Sequence, residues 1–302
     1  MKKQKLKNLP VQPQPSVIES QLAKITKIIL NRYKVEKIIC FGSEIITVLK
    51  ESCFIVLGNG SVPLTKSNSY CLLVIPSKNE TCHDIKMQQC LEELLRSEAS
   101  VTILVHRMEE FNEALNKGSS FFTSIYRKGI ILHDSNEEQF DSPAEGTPIN
   151  KRTIRKEKDW NQWHHLSLDF IKGSKFFIDE GRNSLAVFML HQALQHCYFA
   201  MIKLLTGYRA NSNSLRRLLN LINIALPDSS LVAPNKTTPE DLRVTGLLLK
   251  GFSHARYDDK LIATESDVMT LLKKVIAIVE NANTICSERI ADLKDGKTAY
   301  GN

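Results

Sequence analysis

Residues 184–205 read SLAVFMLHQALQHCYFAMIKLL. A helix built from this run is apolar nearly all the way round, and such a helix must be buried on most sides. Its covering is legible on either side of it in the chain. Upstream, Trp163, Leu166, Phe170 and Phe177 keep one face of a helix from about 156 to 180. Downstream, SLRRLLNLINIAL (214–226) forms a third helix. Thr238-Pro239-Glu240-Asp241 then supplies a cap, a proline at the first helical position and acids in the first turn of a fourth. Val268, Leu271, Val275, Val279, Ala282 and Cys286 mark a long fifth. Five helices with short links predict an antiparallel bundle over 156–294, with 295–302 as a tail.

Upstream of the bundle the character changes. DSNEEQFDSPAEGTPIN (134–150) is polar and without periodicity, which places a linker at 135–155. Before it, helix-like and strand-like segments alternate. Ser16 and Glu19 read as a capping box, after which Ile18, Leu22, Ile25 and Ile29 mark one helical face. KIICFG (37–42), SCFIVLG (52–58), YCLLVIP (70–76), VTILVH (101–106) and GIILHD (129–134) have strand character. Helices are expected over 85–98 and from Glu109 to about Lys117. The fold class is therefore α+β: a small α/β domain at 16–134 behind a flexible start at 1–15, then the helical bundle.

The chain's 302 residues are enough for two domains, and 42% hydrophobic with 24% charged residues excludes a mainly disordered chain. Thirteen Gly and ten Pro exclude collagenous and low-complexity classes. No apolar stretch is read as approaching the roughly 18 residues of a membrane span. The start MKKQKLKNLPVQPQPS has no apolar core behind its lysines and so does not read as a secretory signal. A cytoplasmic protein without membrane contact is expected. The seven cysteines are scattered, several within apolar runs, as free buried thiols are. Cys82, His83 and Cys90 lack the paired spacing of a zinc site, so neither a metal nor a cofactor is expected. Of the net charge of +7, residues 1–150 hold 18 basic and 17 acidic side chains, and residues 151–302 hold 22 and 16. The basic second half permits an anionic partner such as RNA, although such a charge also merely keeps a domain soluble.

CFGSEI (40–45), a strand ending in Gly-Ser and running on into a helix, followed by SYCLLVI (69–75), resembles the minimal nucleotidyltransferase family of the polymerase beta fold over roughly 17–134. The resemblance implies that Gly42 and Ser43 approach nucleotide phosphates. It also implies metal-binding acids at Ser69 and Cys71 and a third near Thr102, where this chain has none. Phosphoryl transfer needs magnesium, and magnesium takes carboxylate oxygens. Gly42, Ser43, Ser69 and Cys71 are thus expected to form a vestigial nucleotide site, an ordinary turn with core, or a surface for protein contacts.

AVFMLHQALQHCYFAMIKLLTGY (186–208), SLRRLL (214–219) and HARYDD (254–259) resemble the HEPN family over about 157–293. That family occurs in prokaryotes, fused to or encoded beside minimal nucleotidyltransferases. The resemblance implies a toxin–antitoxin or defence setting, a homodimer through the bundle, and in many members a metal-independent ribonuclease with an arginine four to six residues before a histidine. No histidine of the helical half has that spacing. Gln195 stands where relatives often carry glutamate, Asn213 where histidine is common, and Asp258 where proline follows Arg-Tyr.

The candidate catalytic pair is His254 with Arg256. Arg243, Tyr257, Arg152, Arg155, Lys156 and Trp160 are candidate RNA or anion contacts, the lysine and arginines through phosphate and the aromatics through stacking. The structural alternatives are helix capping, ion pairing and a solvated helix start. Three functions follow. The first is a non-catalytic or regulatory binder of RNA, a nucleotide or an unidentified protein. The second is a ribonuclease with a rearranged His254/Arg256 site, and the third, ranked last, is an active nucleotidyltransferase.

Overall fold

The computed structural model describes residues 17–44, 50–52, 68–144, 149–234, 238–257 and 263–296. The chain opens with α1 (Val17–Arg32) and β1 (Val35–Glu44), followed by β2 (Lys50–Ser52) and β3 (Ser69–Pro76). Next come α2 (Asp84–Leu95), β4 (Ser100–Val105), α3 (Met108–Asn116), α4 (Ser120–Lys128) and β5 (Ile130–Asp134). The helical half is α5 (Ile149–Asp179), α6 (Asn183–Thr206), α7 (Leu215–Asn223), α8 (Pro239–Tyr257) and α9 (Glu265–Lys294). The α+β class stands. Among the described residues α4 is an element that the sequence reading lacks.

The sheet runs β2-β1-β3-β4, with β5 pairing β1. β1 is antiparallel to β2, β3 and β5, while β3 and β4 are parallel. Apolar residues fill both faces of β3, as they do in strands covered on both sides. Tyr70, Leu72 and Val74 pack with Leu22, Ile25, Ile29, Met87 and Leu91 of α1 and α2. Cys71, Leu73 and Ile75 face the other way and join one continuous core with α3, α4 and the bundle. The edge of β4 is closed by side chains instead of a strand. The Ile103 amide donates to Glu92 Oε1 at 2.8 Å, and Arg217 of α7 donates to the Ile103 carbonyl. Edge groups satisfied in this way offer no template for a further strand.

α6 is the axis of the bundle. It meets α5, α7, α8 and α9 and buries Leu190, Leu194, Tyr198, Met201 and Leu205 completely or nearly so. Here the sequence reading needs correction, because α6 is long and apolar enough to cross a membrane by length and composition. Within the fold 67% of that window is buried against the chain's own helices. α6 ends at Gly207, whose φ of 85° is left-handed, a conformation glycine adopts without Cβ strain. α8 and α9 start on reciprocal caps: Thr238 with Asp241, and Thr264 with Asp267.

Three further expectations change. The strand containing Gly42 does not turn there into a helix; β1 continues through Ser43 to Glu44, held by pairing with both β2 and β3. Helix α5 begins at Ile149, inside the stretch read as linker, because the helical pattern of 150–156 outweighs its polarity. Residues 135–141 are tied to the first domain: Ser135 and the Glu138 amide bond the Glu36 carboxylate, and Asn112 bonds the Asp141 amide at 3.0 Å. The Ser16 cap and most of SCFIVLG lie outside the described residues.

A candidate ligand cleft between the two halves

The Gly-Ser region is closed by the helical half. Gly42 is paired with Cys71 across β1 and β3, and Cys71 with Thr102 across β3 and β4. Of the positions that the family resemblance matches to acids, Cys71 and Thr102 lie side by side, and α7 packs on Thr102. Asn220 Nδ2 donates to Thr102 Oγ1 at 3.1 Å. Ile224, just past α7, lies so close to Gly42 that an added Cβ would stand 2.6 Å from its Cγ2. Burial pushes the Cys71 thiol far above its ordinary pKa. Gly42 and Cys71 are therefore packed core, which overturns their reading as an accessible nucleotide site. Ser43 and Ser69 are only partly buried at the end of the β1–β3 ladder.

Beside this seal a cleft separates the halves, in two adjoining lobes. The larger, about 750 Å³, lies between α2, the end of β4, the 208–214 segment and α8. Its polar lining is mostly neutral: Gln88, Gln89, Asn211, Ser212, Asn213 and Ser253. The smaller lobe, about 460 Å³, carries Arg96, Arg216 and Lys250, with the start of α7 at Ser214. Its carboxylate, Glu92, is committed to Arg217. The lobes share Ser214, Arg217 and Leu249. Arg107 fixes the α2 wall, reaching Asp84 at 2.8 Å, the Glu80 carbonyl at 2.9 Å and the Cys82 carbonyl at 2.8 Å.

A chain of three side chains crosses the larger lobe. His106 Nδ1 is 3.2 Å from Glu110 Oε2, and its Nε2 is 3.2 Å from the Tyr208 hydroxyl. A carboxylate only accepts, so Nδ1 carries the proton, and in the neutral ring Nε2 accepts from Tyr208. Burial keeps His106 neutral by lowering its pKa, against the opposing pull of Glu110. Burial also raises the Tyr208 hydroxyl to about 12, so it remains a donor. The Tyr208 ring packs on Phe121 at 4.4 Å, which joins the halves at this point.

The departures at Gln195 and Asn213 meet in the same wall. Gln195 Nε2 donates to Asn213 Oδ1 at 2.9 Å and to the Ser212 carbonyl at 3.1 Å. The pair is made of two neutral amides. Gln195 Oε1 is left buried without a hydrogen-bond partner, a situation that costs about 1–3 kcal/mol until a donor reaches it. Behind it, His191 is fully buried between the carbonyls of Leu248 at 2.9 Å and Asn213 at 3.2 Å, a structural histidine. His196 stacks on Phe170 at 5.1 Å.

The other expected contacts are mostly structural. Trp160 is 2% exposed and stacks on His164 at 5.2 Å, so it has no face for a base; this corrects its reading as a stacking residue. Lys156 donates at 2.6 Å to the Leu204 carbonyl near the end of α6, and burial, with Arg152 and Arg289 nearby, lowers its pKa to about 8. Lys156 caps a helix and is not a surface phosphate contact. Arg243 binds the buried Asp267 carboxylate, at 3.0 Å through Nη1, and ties α8 to α9. Arg155 is exposed and Arg152 partly so, both remote in sequence from the cleft lining. His254, Arg256 and Tyr257 belong to the last turn of α8, and their side chains lie outside the described residues. That turn follows Lys250 and Ser253 of the cleft. Among the described residues, no group of three or more His, Cys, Asp or Glu side chains could hold a metal ion.

Sequence reading missed His106, Glu110, Tyr208, Gln88, Asn211, Arg216 and Lys250. Arg216 and Arg217 sit in the SLRRLL motif, so their basic pair was in view. The remaining six come from four separate places: Gln88 on α2, His106 and Glu110 around the start of α3, Tyr208 and Asn211 in the segment after α6, and Lys250 on α8.

Residues 160–285 match the profile of the HEPN domain. Among solved structures, the chain is similar to a nucleotidyltransferase-like protein from Exiguobacterium sibiricum 255-15. The identity is 12%, with 91% of this chain and 78% of that chain covered at a TM-score of 0.28. No curated protein matches the chain.

Proposed function

We propose that this nucleotidyltransferase-like/HEPN fusion is a binding or regulatory protein that no longer transfers nucleotides and that holds a phosphate-bearing ligand, RNA or a nucleotide, in the cleft between its halves. One observation carries the reading: Arg96, Arg216 and Lys250 converge on a lobe whose carboxylate is already neutralised by Arg217. Neither Arg216 nor Lys250 has an ion-pair partner among the described residues, so both charges are available to phosphate. The seal over Gly42 and the absence of acids at Ser69, Cys71 and Thr102 argue against transfer. A homodimer through the bundle remains part of the proposal; half-buried Trp163, Phe170 and Phe199 of α5 and α6 supply apolar surface for it.

A native-gel titration with labelled single-stranded RNA at several salt concentrations, rerun under denaturing conditions, tests this. Three neutralised phosphates give a slope of about 2 in log affinity against log salt, or on the order of 20-fold between 50 and 200 mM. The Arg216→Ala/Lys250→Ala double variant is expected to lose most of that dependence. Salt-independent binding, or no binding of RNA or nucleotides, would refute the reading. Shortened RNA would favour the ribonuclease reading at the end of α8.

A further inference from the structure

Building on the phosphate reading of the cationic lobe, we infer that the neutral lobe is a subsite for one unpaired nucleobase with its ribose, so that the cleft takes a nucleotide or a single strand and not a duplex. Size is the first argument. At about 750 Å³ the lobe lies within the range of small-molecule pockets, roughly 300–1,000 Å³, and it is set between two halves of a chain where such sites occur. A duplex keeps its bases stacked inside and presents only edges and backbone, which do not enter a recess of this shape.

Chemistry is the second. Gln88, Gln89, Asn211 and Asn213 each offer an amide N–H and a carbonyl oxygen, the paired donors and acceptors that a base edge requires. Phe252 and Leu249 supply apolar surface. The Glu110–His106–Tyr208 chain has a fixed polarity: the tyrosine proton is spent on His106, and its oxygen remains an acceptor for a base N–H. The buried, unpartnered Gln195 Oε1 beside Asn213 is a second acceptor next to this wall. Adjacency of the two lobes is the third argument. A ligand spanning Ser214, Arg217 and Leu249 has its phosphate among the cations and its base among the amides, as a nucleoside phosphate demands.

The test is calorimetric titration of the full chain with inorganic phosphate, ribose 5-phosphate, the four ribonucleoside 5′-monophosphates, and a single-stranded RNA with its duplex. At least one nucleotide is expected to bind about ten-fold or more tighter than ribose 5-phosphate, from base contacts of ordinary strength. The single strand is expected to bind tighter than the duplex. Gln88→Ala/Asn211→Ala is expected to reduce nucleotide affinity to that of ribose 5-phosphate and to leave ribose 5-phosphate itself unchanged. Nucleotides binding no tighter than ribose 5-phosphate, or a duplex binding as well as the strand, would overturn the base subsite while sparing the phosphate reading. Failure of every phosphate compound to bind would overturn both.

Discussion

Replacement of Gly42 by alanine probes the closure of the first domain by the second. The new methyl would stand 2.6 Å from Ile224 Cγ2 and 3.3 Å from Ile224 Cβ, neither of them the far end of a flexible side chain. Gly42 sits in β1 between β2 and β3, so the strand has little room to retreat. Overpacking of this kind costs about 1–3 kcal/mol. Ile224→Ala alone removes a nearly buried side chain and is expected to cost about 2–3 kcal/mol. With both changes the alanine methyl enters the space left by isoleucine, so the double variant should be little worse than Ile224→Ala. The cycle then gives a coupling of about 2 kcal/mol in the direction of mutual rescue. Equilibrium urea unfolding of the four proteins, followed by far-UV circular dichroism with slopes compared, measures it. Additivity within about 0.5 kcal/mol would show that Gly42 and Ile224 do not touch, and the argument for a closed site would fail.

Other perturbations reach the same interface and the bundle. Arg217→Ala strips Glu92 and the Ile103 carbonyl of their partner at the β4 edge; a loss of about 3 kcal/mol is expected in urea unfolding, and a change below 1 kcal/mol would refute the edge closure. Tyr208→Phe removes the proton given to His106 Nε2 and is expected to cost about 1–2 kcal/mol; in the wild type, imidazole nitrogen chemical shifts should report a neutral ring with its proton on Nδ1 at pH 7. Asp267 is held at about 2 by Arg243 and by the Thr264 cap, against an ordinary 3.8. Its contribution is therefore complete above about pH 5 and lost as pH falls through 2, so Asp267→Asn should cost about 2 kcal/mol at pH 7 and almost nothing at pH 2. Equal losses at both pH values would contradict the ion pair.

The central helix and its partners were readable because burial on all sides leaves an unbroken apolar run, and the 3.6-residue period marks each neighbour's inner face. The resemblance to the HEPN family rested on short motifs in those helices, on their order and on the domain upstream of them. The continuous apolar run of β3 was readable as a buried strand, but nothing in the pattern says which element covers its second face. That face is covered by the bundle, so the two halves share one core. Trp160 was misread for the complementary reason. A basic stretch around an aromatic describes composition, while the orientation of one ring is set by the helices packed beside it.

Local chemistry determined what this protein lacks: carboxylates at Ser69, Cys71 and Thr102, and the arginine–histidine spacing in its helical half. Those absences are properties of single positions and need no fold to be seen. Only the tertiary structure decided what took their place. Ile224 lies 182 positions from Gly42, and Arg216 and Lys250 come from two separate helices while Arg96 stands just past the end of a third. A closed site and an open cleft are both made by contacts between distant segments, which leave no period or spacing in the chain because packing in three dimensions alone brings them together.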